Sequence, residues 1–415
     1  MQYGLIGGKL GHSYSSEVHA MIGGYDYVLK EIPREGLDAF MKGKDFLGLN
    51  VTIPYKQDVI PYLDEIDNAA REIGAVNTIV NRGGRLAGYN TDFTGLRSLI
   101  LHNNIDLEGR KVLILGSGGT SRTATAVAKD LGARQIMVAG RSGRPGTVSY
   151  EEARTVHADT QVIINATPCG MYPDNLSSAI SLEPFAGLEA VVDVIYNPIR
   201  TRLVQEAQER GIRACGGLYM LVCQAVAASA LFRDTETDMS AADAIYNRIL
   251  GKKRNVVLTG MPGSGKTTVG RLLAGKLGMD FADTDALIEQ MTGRHPSQII
   301  REDGESAFRE IEAQAVRTAG TFGNTVISTG GGAVLRKDNV TYLKGNGRVF
   351  FLDRSLDGIA PSEDRPLSDS FEKLAAVHRD RYPVYCATCD CRVAVGEDDA
   401  EKVAARIAEA MDHEA

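Results

Sequence analysis

The sequence predicts an α/β protein, because one pattern of apolar strand, glycine-rich turn and helix occurs twice. The first occurrence starts at Lys111 with KVLILG, GSGGTSRTATAVAKDLG and the second strand RQIMVAGR. The other starts at Asn255 with NVVLTG, MPGSGKTTVGRLLAGKLG and MDFADTD. A glycine turn between a strand and a helix is typical of nucleotide-binding units, so we expect two such sites.

Length and composition support a globular chain of several domains. At about 150 residues per domain, the 415 residues correspond to two or three domains. Apolar residues make up 43% and charged residues 24%, which excludes a disordered or collagen-like chain. The net charge of −7 provides no chain-wide attraction for nucleic acid, so we expect no nucleic-acid partner.

The sequence carries no pattern typical of export or membrane insertion. The N-terminal stretch MQYGLIGGKLGHSYSS lacks the basic and apolar regions of a secretory signal. Glycines and Gln224 interrupt the uncharged stretch 214–232, which we interpret as a loop leading into a buried helix. The six cysteines are scattered, which predicts reduced thiols. We therefore expect a cytoplasmic protein without a membrane partner.

The two strand and helix units divide the chain into domains. Residues 1–100 contain strands of their own, such as FLGLNVTI and AVNTIV, and form a separate α/β lobe. Residues 101–250 form the first nucleotide unit, with C-terminal helices that return to the first lobe. The basic stretch 251–254 is a short linker, and residues 255–415 form the second nucleotide unit.

The second half contains a phosphate-binding loop. Gly260, Gly265, Lys266 and Thr267 match the pattern GxxxxGK[ST] between a predicted strand and helix. The glycines turn backbone N–H groups toward phosphate oxygens, the lysine adds a positive charge, and the threonine hydroxyl coordinates Mg²⁺. The sequence therefore predicts ATP or GTP as a ligand.

Two aspartates follow this loop, Asp283 and Asp285, at the end of the next predicted strand. Their spacing of two residues predicts that both side chains lie on one side of that strand. At the ligand-bearing edge of a parallel sheet, one carboxylate would complete the Mg²⁺ shell and the other would accept a proton from an attacking hydroxyl. The alternative is that both aspartates cap the helix beginning at ALIEQM.

Six motifs then occur in order over residues 255–396: GMPGSGKTTVGR, FADTDALIEQMTGR, FREIE, STGGGAV, DRPL and RYPVY. This part of the chain resembles shikimate kinase, which implies a P-loop domain with a parallel sheet, binding ATP, Mg²⁺ and shikimate. The resemblance implies that shikimate is bound by Asp285, Arg309, Gly330, Gly331, Gly332 and Arg381. The implied nucleotide site comprises Gly260, Gly263, Ser264, Gly265, Lys266, Thr267, Thr268 and the lid residue Arg365.

The same resemblance assigns the chemistry of this half. It implies that Thr267 and Asp283 hold Mg²⁺ and that Asp285, Lys266 and Arg365 are catalytic. Without it, the arginines would be interpreted equally well as surface charges. A metal clip formed by the thiols of YCATCDCRV is an alternative interpretation of that segment.

The first half contains a weaker glycine turn, GSGGTS, with Gly116, Gly118 and Gly119. The next strand ends at AGRSGR, so Arg141 and Arg144 occupy the place where an acidic residue would bind a ribose 2′-hydroxyl. Guanidinium groups pair with a 2′-phosphate, so the sequence favours NADP(H) over NAD(H). Alternatively, Arg141 is a solvated surface residue.

Polar residues of the first lobe suggest proton chemistry. Asn50, Thr52 and Lys56 in NVTIPYK share one parity of a predicted extended segment, so their side chains are expected to converge. Asp92 stands just before a helical stretch and is either a partner of Lys56 or a helix N-cap. A lysine beside an aspartate can exchange a proton with a carbonyl oxygen while hydride moves at carbon. This pattern is typical of a ketone reductase.

Together with GHSYSSEVH, GAVNTI, NATPCGM, DVIYNP and GGLYMLVCQA, these segments resemble shikimate dehydrogenase over nearly all of residues 1–250. The resemblance implies a Rossmann-type domain beside a substrate lobe. It implies a substrate site made of Ser13, Ser15, Asn50, Thr52, Lys56, Asn77, Asp92, Tyr196 and Gln224, with Lys56 and Asp92 catalytic. The implied NADP site comprises Gly116, Gly118, Gly119, Arg141, Arg144, Thr167, Met171 and Gly217. The two serines alternatively cap a turn.

The two resemblances imply consecutive reactions in aromatic amino acid biosynthesis. The first half would reduce 3-dehydroshikimate with NADPH, and the second would phosphorylate shikimate with MgATP. One alternative is a first half that acts on quinate and shikimate with NAD. The other alternative is that one half only binds its ligand.

Overall fold

The computed structural model describes residues 2–10, 14–141, 145–360, 367, 369–396 and 399–412. The chain forms two compact units, Met1–Arg248 and Ile249–Ala415. Each contains strands and helices in alternation, and the predicted α/β fold class is confirmed. None of the helices within these described ranges is long and apolar enough to cross a membrane.

The first lobe of the first unit is built on a six-stranded mixed sheet. Its elements are β1 (Tyr3–Gly7), α1 (Ser15–Ile22), β2 (Tyr27–Glu31), α2 (Leu37–Gly43), β3 (Gly48–Val51), β4 (Glu65–Ile66), α3 (Asn68–Ile73), β5 (Thr78–Arg82), β6 (Arg85–Tyr89) and α4 (Thr91–His102). The strand order is β2-β1-β3-β5-β6-β4, and β5 runs antiparallel to both of its neighbours. The sheet is therefore mixed, with helices between its strands, in agreement with the predicted α/β lobe.

The second lobe is a five-stranded parallel sheet of order β11-β10-β9-β7-β8. Its elements, and the helices after it, are β7 (Lys111–Leu115), α5 (Gly119–Asp130), β8 (Gln135–Ala139), α6 (Tyr150–Thr155), β9 (Val162–Asn165), β10 (Ala190–Asp193), α7 (Arg202–Glu209), β11 (Arg213–Cys215), α8 (Leu218–Arg233) and α9 (Ser240–Lys253). Every residue of β7, β9 and β10 is buried, as expected for parallel strands covered on both faces.

Helix α8 confirms the buried helix expected in the stretch 214–232, and it packs against α4 and α1 of the first lobe. Ala214 and Cys215, which we predict as part of a loop, instead belong to the edge strand β11. The prediction of a linker at 251–254 is also wrong in part, because helix α9 continues through Lys253. Lys252 and Lys253 lie in the last helical turn, where positive charge suits the negative end of the helix dipole.

The second unit contains a five-stranded parallel sheet of order β13-β14-β12-β15-β16. Its elements are β12 (Asn255–Thr259), α10 (Lys266–Leu277), β13 (Asp280–Asp283), α11 (Thr284–Thr292), α12 (Pro296–Ala319), β14 (Thr325–Ser328), α13 (Lys337–Asn346), β15 (Gly347–Asp353), α14 (Phe371–Thr388), β16 (Cys391–Ala394) and α15 (Ala400–Asp412). The central strand β12 is buried and leads directly into the glycine loop before α10. The carboxyl ends of these strands therefore meet at the phosphate loop.

Candidate active sites

The first unit contains a cavity of about 290 Å³ at the edge of its first lobe. Eight predicted substrate residues line it: Ser15, Asn50, Thr52, Lys56, Asn77, Asp92, Tyr196 and Gln224. Ser13 lies outside the described residues. The cavity is also lined by Lys9 and Met220, which the sequence did not single out. Its volume is suited to one small polar molecule.

Lys56 and Asp92 form an ion pair in the wall of this cavity, with 2.5 Å between Lys56 Nζ and Asp92 Oδ2. The parity argument for Lys56 was wrong, because β3 ends at Val51 and Lys56 lies in the turn that follows. The N-cap alternative for Asp92 was also wrong, because Asn90 caps α4 by accepting a hydrogen bond from Phe93 N. Both charged side chains are mostly buried, at 26% and 18% exposure, so their attraction is only partly screened.

The amide of Asn77 has a defined orientation. Its Oδ1 accepts a hydrogen bond from Thr91 N at 2.7 Å, and a backbone N–H can only donate, so this atom must be the oxygen. Its Nδ2 donates to none of the described residues, and Asn77 lines the cavity. Asn77 therefore offers hydrogen-bond donors to a ligand.

Asn50 is held from behind by an aromatic layer. Its Oδ1 accepts a hydrogen bond from Tyr27 at 2.7 Å, and its Nδ2 donates to Thr78 at 3.0 Å. The ring of Tyr27 stacks on His19 with 3.8 Å between ring centroids. His19 is fully buried, and burial lowers its pKa to about 3, so its imidazole is neutral. This uncharged layer fixes the Asn50 amide at the cavity edge.

The glycine turn of the second lobe is shaped for a close backbone approach. Gly116 has φ of 102°, and a Cβ there would lie 2.9 Å from Thr167 Cγ2, so another residue would not fit. Gly118 and Gly119 face open space, and α5 begins with a glycine N-cap. The first N–H groups of α5 can therefore bind phosphate. Arg141 is exposed just after β8, whereas Arg144 lies outside the described residues.

A buried chain of hydrogen bonds holds Thr167. Its backbone N and hydroxyl both donate to Asn165 Oδ1, at 3.0 and 2.7 Å. Asn165 Nδ2 donates to the carboxylate of Asp193 at 3.1 Å, and Thr201 donates to the same carboxylate at 2.7 Å. Burial raises the pKa of Asp193 to about 6. The sequence did not single out Asp193 or Asn165, which join the ends of β9 and β10.

The second unit contains a cavity of about 560 Å³ above its phosphate loop. Twelve predicted residues line it: Gly263, Gly265, Lys266, Thr267, Thr268, Asp283, Asp285, Arg309, Gly330, Gly331, Gly332 and Arg381. Ser264 is fully buried beneath the loop, so its side chain does not face the cavity. Arg365 lies outside the described residues.

The phosphate loop owes its shape to three glycines with positive φ, namely Gly260 at 143°, Gly263 at 81° and Gly265 at 95°. Lys266 Nζ donates to the carbonyl oxygens of Gly260 at 3.0 Å and Met261 at 2.8 Å. The lysine is therefore held over the loop, with its charge at the place where phosphates bind.

Thr267 and Asp283 lie side by side at this cavity, and the threonine hydroxyl donates to Asp283 Oδ2 at 2.8 Å. A hydroxyl and a carboxylate are the oxygen ligands that Mg²⁺ prefers, so this pair fits the predicted metal site. The strand geometry predicted for Asp285 was wrong, because β13 ends at Asp283 and Asp285 lies in the first turn of α11. Asp283 Oδ1 accepts a hydrogen bond from Asp285 N and so starts the helix there.

Asp285 occupies a buried part of the cavity, and its carboxyl is harder to ionise than usual. Burial raises its pKa to about 6, the nearby charge of Asp283 adds to the effect, and Lys266 opposes it. A carboxyl with a pKa close to neutrality is suited to accept a proton during catalysis.

Arg309 is held by two acids on its own helix. Its Nη1 donates to Glu312 and its Nη2 to Glu305, each at 2.7 Å. Glu312 is almost fully buried, and burial raises its pKa. The sequence did not assign Glu312 a role, although its place three residues after Arg309 is the helical spacing for an ion pair. The guanidinium lies so close to Gly332 that a Cβ there would be 2.1 Å from Nη1.

Comparison with known proteins gives two families along the chain. The family model for the shikimate dehydrogenase substrate binding domain matches residues 5–79, and the shikimate kinase model matches residues 262–412. A shikimate dehydrogenase (NADP(+)) of Clostridium perfringens is 35% identical over 271 residues, covering 60% of this chain and 97% of the relative. The chain belongs to the shikimate dehydrogenase family.

Solved structures agree with this assignment. The crystal structure of shikimate dehydrogenase 1 from Peptoclostridium difficile has a TM-score of 0.55 and 37% identity, covering 60% of this chain and 98% of that one. A shikimate 5-dehydrogenase from Thermus thermophilus in complex with NADP(H) and shikimate has a TM-score of 0.54 and 29% identity, with 60% and 99% coverage.

The family assignments confirm both resemblances predicted from the motifs. The C-terminal part is a shikimate kinase domain. The chain is thus a bifunctional shikimate-pathway enzyme that joins an NADP-dependent oxidoreductase to an ATP-dependent kinase. We call the two compact units the dehydrogenase unit and the kinase unit.

The structure also shows where two residues of the predicted NADP site lie. Gly217 lines the cavity of the dehydrogenase unit, and a Cβ there would be 2.1 Å from Val194 O. Met171 is 47% exposed. Among the described residues, which include the three cysteines of YCATCDCRV, no group of three or more His, Cys, Asp or Glu side chains is placed to hold a metal ion.

Proposed function

We propose that the dehydrogenase unit reduces 3-dehydroshikimate to shikimate with NADPH, and that the kinase unit phosphorylates the 3-hydroxyl of shikimate with MgATP. The observation that carries the dehydrogenase proposal is the ion pair of Lys56 and Asp92 inside a small cavity. The kinase proposal is carried by the cavity above the phosphate loop, which Lys266, Asp283 and Asp285 line together. We propose residues 1–100 as the substrate lobe, 101–250 as the NADP domain, 251–254 as its junction and 255–415 as the kinase domain.

In the dehydrogenase unit, Lys56 donates a proton to the substrate oxygen, and Asp92 keeps the lysine directed into the cavity. NADPH supplies the hydride when it is bound. Asn77 donates hydrogen bonds to ring hydroxyls together with Asn50, Thr52 and Gln224, and Ser13 and Ser15 bind the carboxylate. Tyr196 closes the cavity. The pyrophosphate of NADPH is bound by Gly116, Gly118 and Gly119, and its 2′-phosphate is bound by Arg141 and Arg144. The nicotinamide is bound by Thr167, Met171 and Gly217.

In the kinase unit, Asp285 accepts the proton of the attacking hydroxyl. Arg309 and Arg381 bind the substrate carboxylate, and the backbone of residues 330–332 lies along the ring. Lys266 and Arg365 stabilise charge on the transferring phosphoryl group, and the other loop residues bind the nucleotide through backbone N–H groups. Thr267 and Asp283 would hold Mg²⁺, which neutralises phosphate charge when it is bound.

One coupled assay tests both reactions. The full chain is mixed with 3-dehydroshikimate, NADPH, ATP and Mg²⁺, and NADPH oxidation and ADP release are followed together. We expect ADP release only after NADPH oxidation has begun, and no ADP release when 3-dehydroshikimate is omitted. NADPH oxidation without ADP release would contradict the kinase proposal. The reverse reaction is measured as oxidation of shikimate with NADP⁺ and of quinate with NAD⁺. If quinate were oxidised faster with NAD⁺, the assigned substrate and cofactor would be contradicted.

The kinase reaction is expected to lose activity in acid. Because the pKa of Asp285 is raised to about 6, the carboxyl is protonated below that pH and cannot accept the hydroxyl proton. The kcat/KM for shikimate should therefore fall about tenfold for each pH unit below 6. Far-UV circular dichroism over the same range separates this effect from unfolding. A rate that stays flat between pH 5 and 7 would contradict the role of Asp285.

A further inference from the structure

Arg354 lies immediately after β15, at the edge of the sheet that carries the phosphate loop. Strand β15 pairs with β12 up to Thr259 and Phe351, and then continues to Asp353 beside the start of the phosphate loop. A Cβ on Gly260 would lie 2.8 Å from the carbonyl oxygen of Leu352, which shows how closely the end of β15 follows the start of the loop. Arg354 Nη2 lies 3.9 Å from the position that a Cβ would take on Gly265. The guanidinium is therefore next to the loop residue that precedes Lys266.

The side chain of Arg354 is packed in place. Its Cγ lies 3.3 Å and its Cδ 3.5 Å from the position of a Cβ on Gly358. Gly358 ends a short 3₁₀ turn, Leu356–Gly358, that folds back over the stem of the arginine. The stem is thus confined on one side by this turn, while the guanidinium reaches toward the loop.

Arg354 has no acceptor within the described part of the chain. Its Nε is buried without a hydrogen-bond partner, and it forms no ion pair there. The adjacent carboxylate of Asp353 is already bound by Arg392, at 2.6 Å from Nε and 2.5 Å from Nη2. A buried donor without an acceptor is unfavourable, and a guanidinium is satisfied best by an oxyanion, such as phosphate, that accepts two parallel hydrogen bonds.

We propose that Arg354 binds the polyphosphate of the nucleotide in the kinase unit. This inference rests on the proposed function, because the anion is the ATP or ADP bound by the phosphate loop. Arg354 supplies a second fixed positive charge beside that of Lys266, and its forked donors bind phosphate oxygens that a point charge does not orient. Arg354 is therefore a further nucleotide-binding residue, outside the phosphate-loop motif.

Direct binding measurements on the full chain test this proposal. Calorimetry with Mg²⁺ and ADP is carried out on the parent chain, Arg354→Ala, Arg354→Lys and the control Arg317→Ala. Arg317 is an exposed arginine on α12 of the same unit, so its removal matches the change in charge. We expect Arg354→Ala to raise the Kd for ADP about tenfold or more. The Kd of Arg354→Lys should lie between those of Arg354→Ala and the parent, and the Kd of the control should stay within about twofold of the parent value.

Two further measurements define the ligand group. In Arg354→Ala, the binding of tripolyphosphate should be weakened as much as the binding of ADP, because the proposed contact is to phosphate. The Kd for shikimate should not change. Unchanged ADP binding in Arg354→Ala would overturn the proposal, and so would weaker ADP binding with unchanged tripolyphosphate binding. Thermal unfolding and dehydrogenase activity of the same chain verify folding. If the parent chain failed to phosphorylate shikimate, the proposed function would be contradicted, while the comparison of ADP affinities would still decide the role of Arg354.

Discussion

Replacing Lys56 with alanine is expected to abolish reduction of 3-dehydroshikimate and to leave phosphorylation of shikimate unchanged. In the proposed function, Lys56 Nζ is the proton donor, and it lies 2.5 Å from Asp92 Oδ2 in the cavity of the dehydrogenase unit. Loss of a positioned proton donor lowers rates by about 10²- to 10⁴-fold. The measurement is the rate of NADPH oxidation, with ADP release from added shikimate and ATP as the internal check in the same chain.

A second substitution separates proton transfer from simple charge. Lys56→Arg keeps a positive group beside Asp92, but a guanidinium does not release its proton at neutral pH. We expect this variant to be as inactive as Lys56→Ala. The matched control is Lys42→Ala, which removes an exposed lysine of α2 in the same lobe. Near-parental activity in Lys56→Arg would show that Lys56 does not act as the proton donor.

Replacing Lys266 with alanine is expected to abolish phosphorylation of shikimate and to spare the dehydrogenase reaction. In the described structure, Lys266 Nζ is held by the carbonyl oxygens of Gly260 and Met261, over the loop where phosphates bind. Removing one positioned donor from a site of developing charge lowers kcat by about 10²- to 10³-fold. The measurement is ADP release from saturating shikimate and ATP, with NADPH oxidation as the internal check.

The hydrogen bonds of Lys266 also shape the loop, so a second variant is needed. Lys266→Met keeps the apolar stem and removes only the charge and the donors, and we expect the same loss of activity. The control is Lys276→Ala, near the end of the same helix, which removes an exposed charge far from the loop. Kinase activity within tenfold of the parent in both Lys266 variants would contradict the assignment of this loop.

These two pairs of variants also test the alternative that one unit only binds its ligand. An enzyme with two independent sites should lose one activity with each lysine and keep the other. A chain with a binding-only unit would show one of the activities absent in the parent, before any substitution. The comparison therefore needs no separately expressed unit.

Local patterns in the sequence predicted the fold class, and they named residues that the structure brings together at two cavities. The phosphate loop requires glycines at positive φ and a lysine at a fixed spacing, so its residues are recognisable without knowledge of the rest of the chain. The motif segments of the dehydrogenase unit likewise supplied eight residues that line one cavity. Backbone geometry was predicted less well, because Lys56 lies in a turn and Asp285 in a helix, where strand spacing does not apply.

The sequence by itself determined which residue types carry the chemistry, because binding phosphate or transferring a proton requires particular side chains at short spacings. Only the tertiary structure decided which of them are ionised, oriented and supported. Glu312 and Asp193 acquire their roles from burial, and Asp285 acquires its raised pKa in the same way. Arg354 becomes a candidate ligand-binding residue only because β15 pairs with β12, which lies far away in the chain. Burial and contacts between distant segments arise when the whole chain packs, so no local pattern contains them.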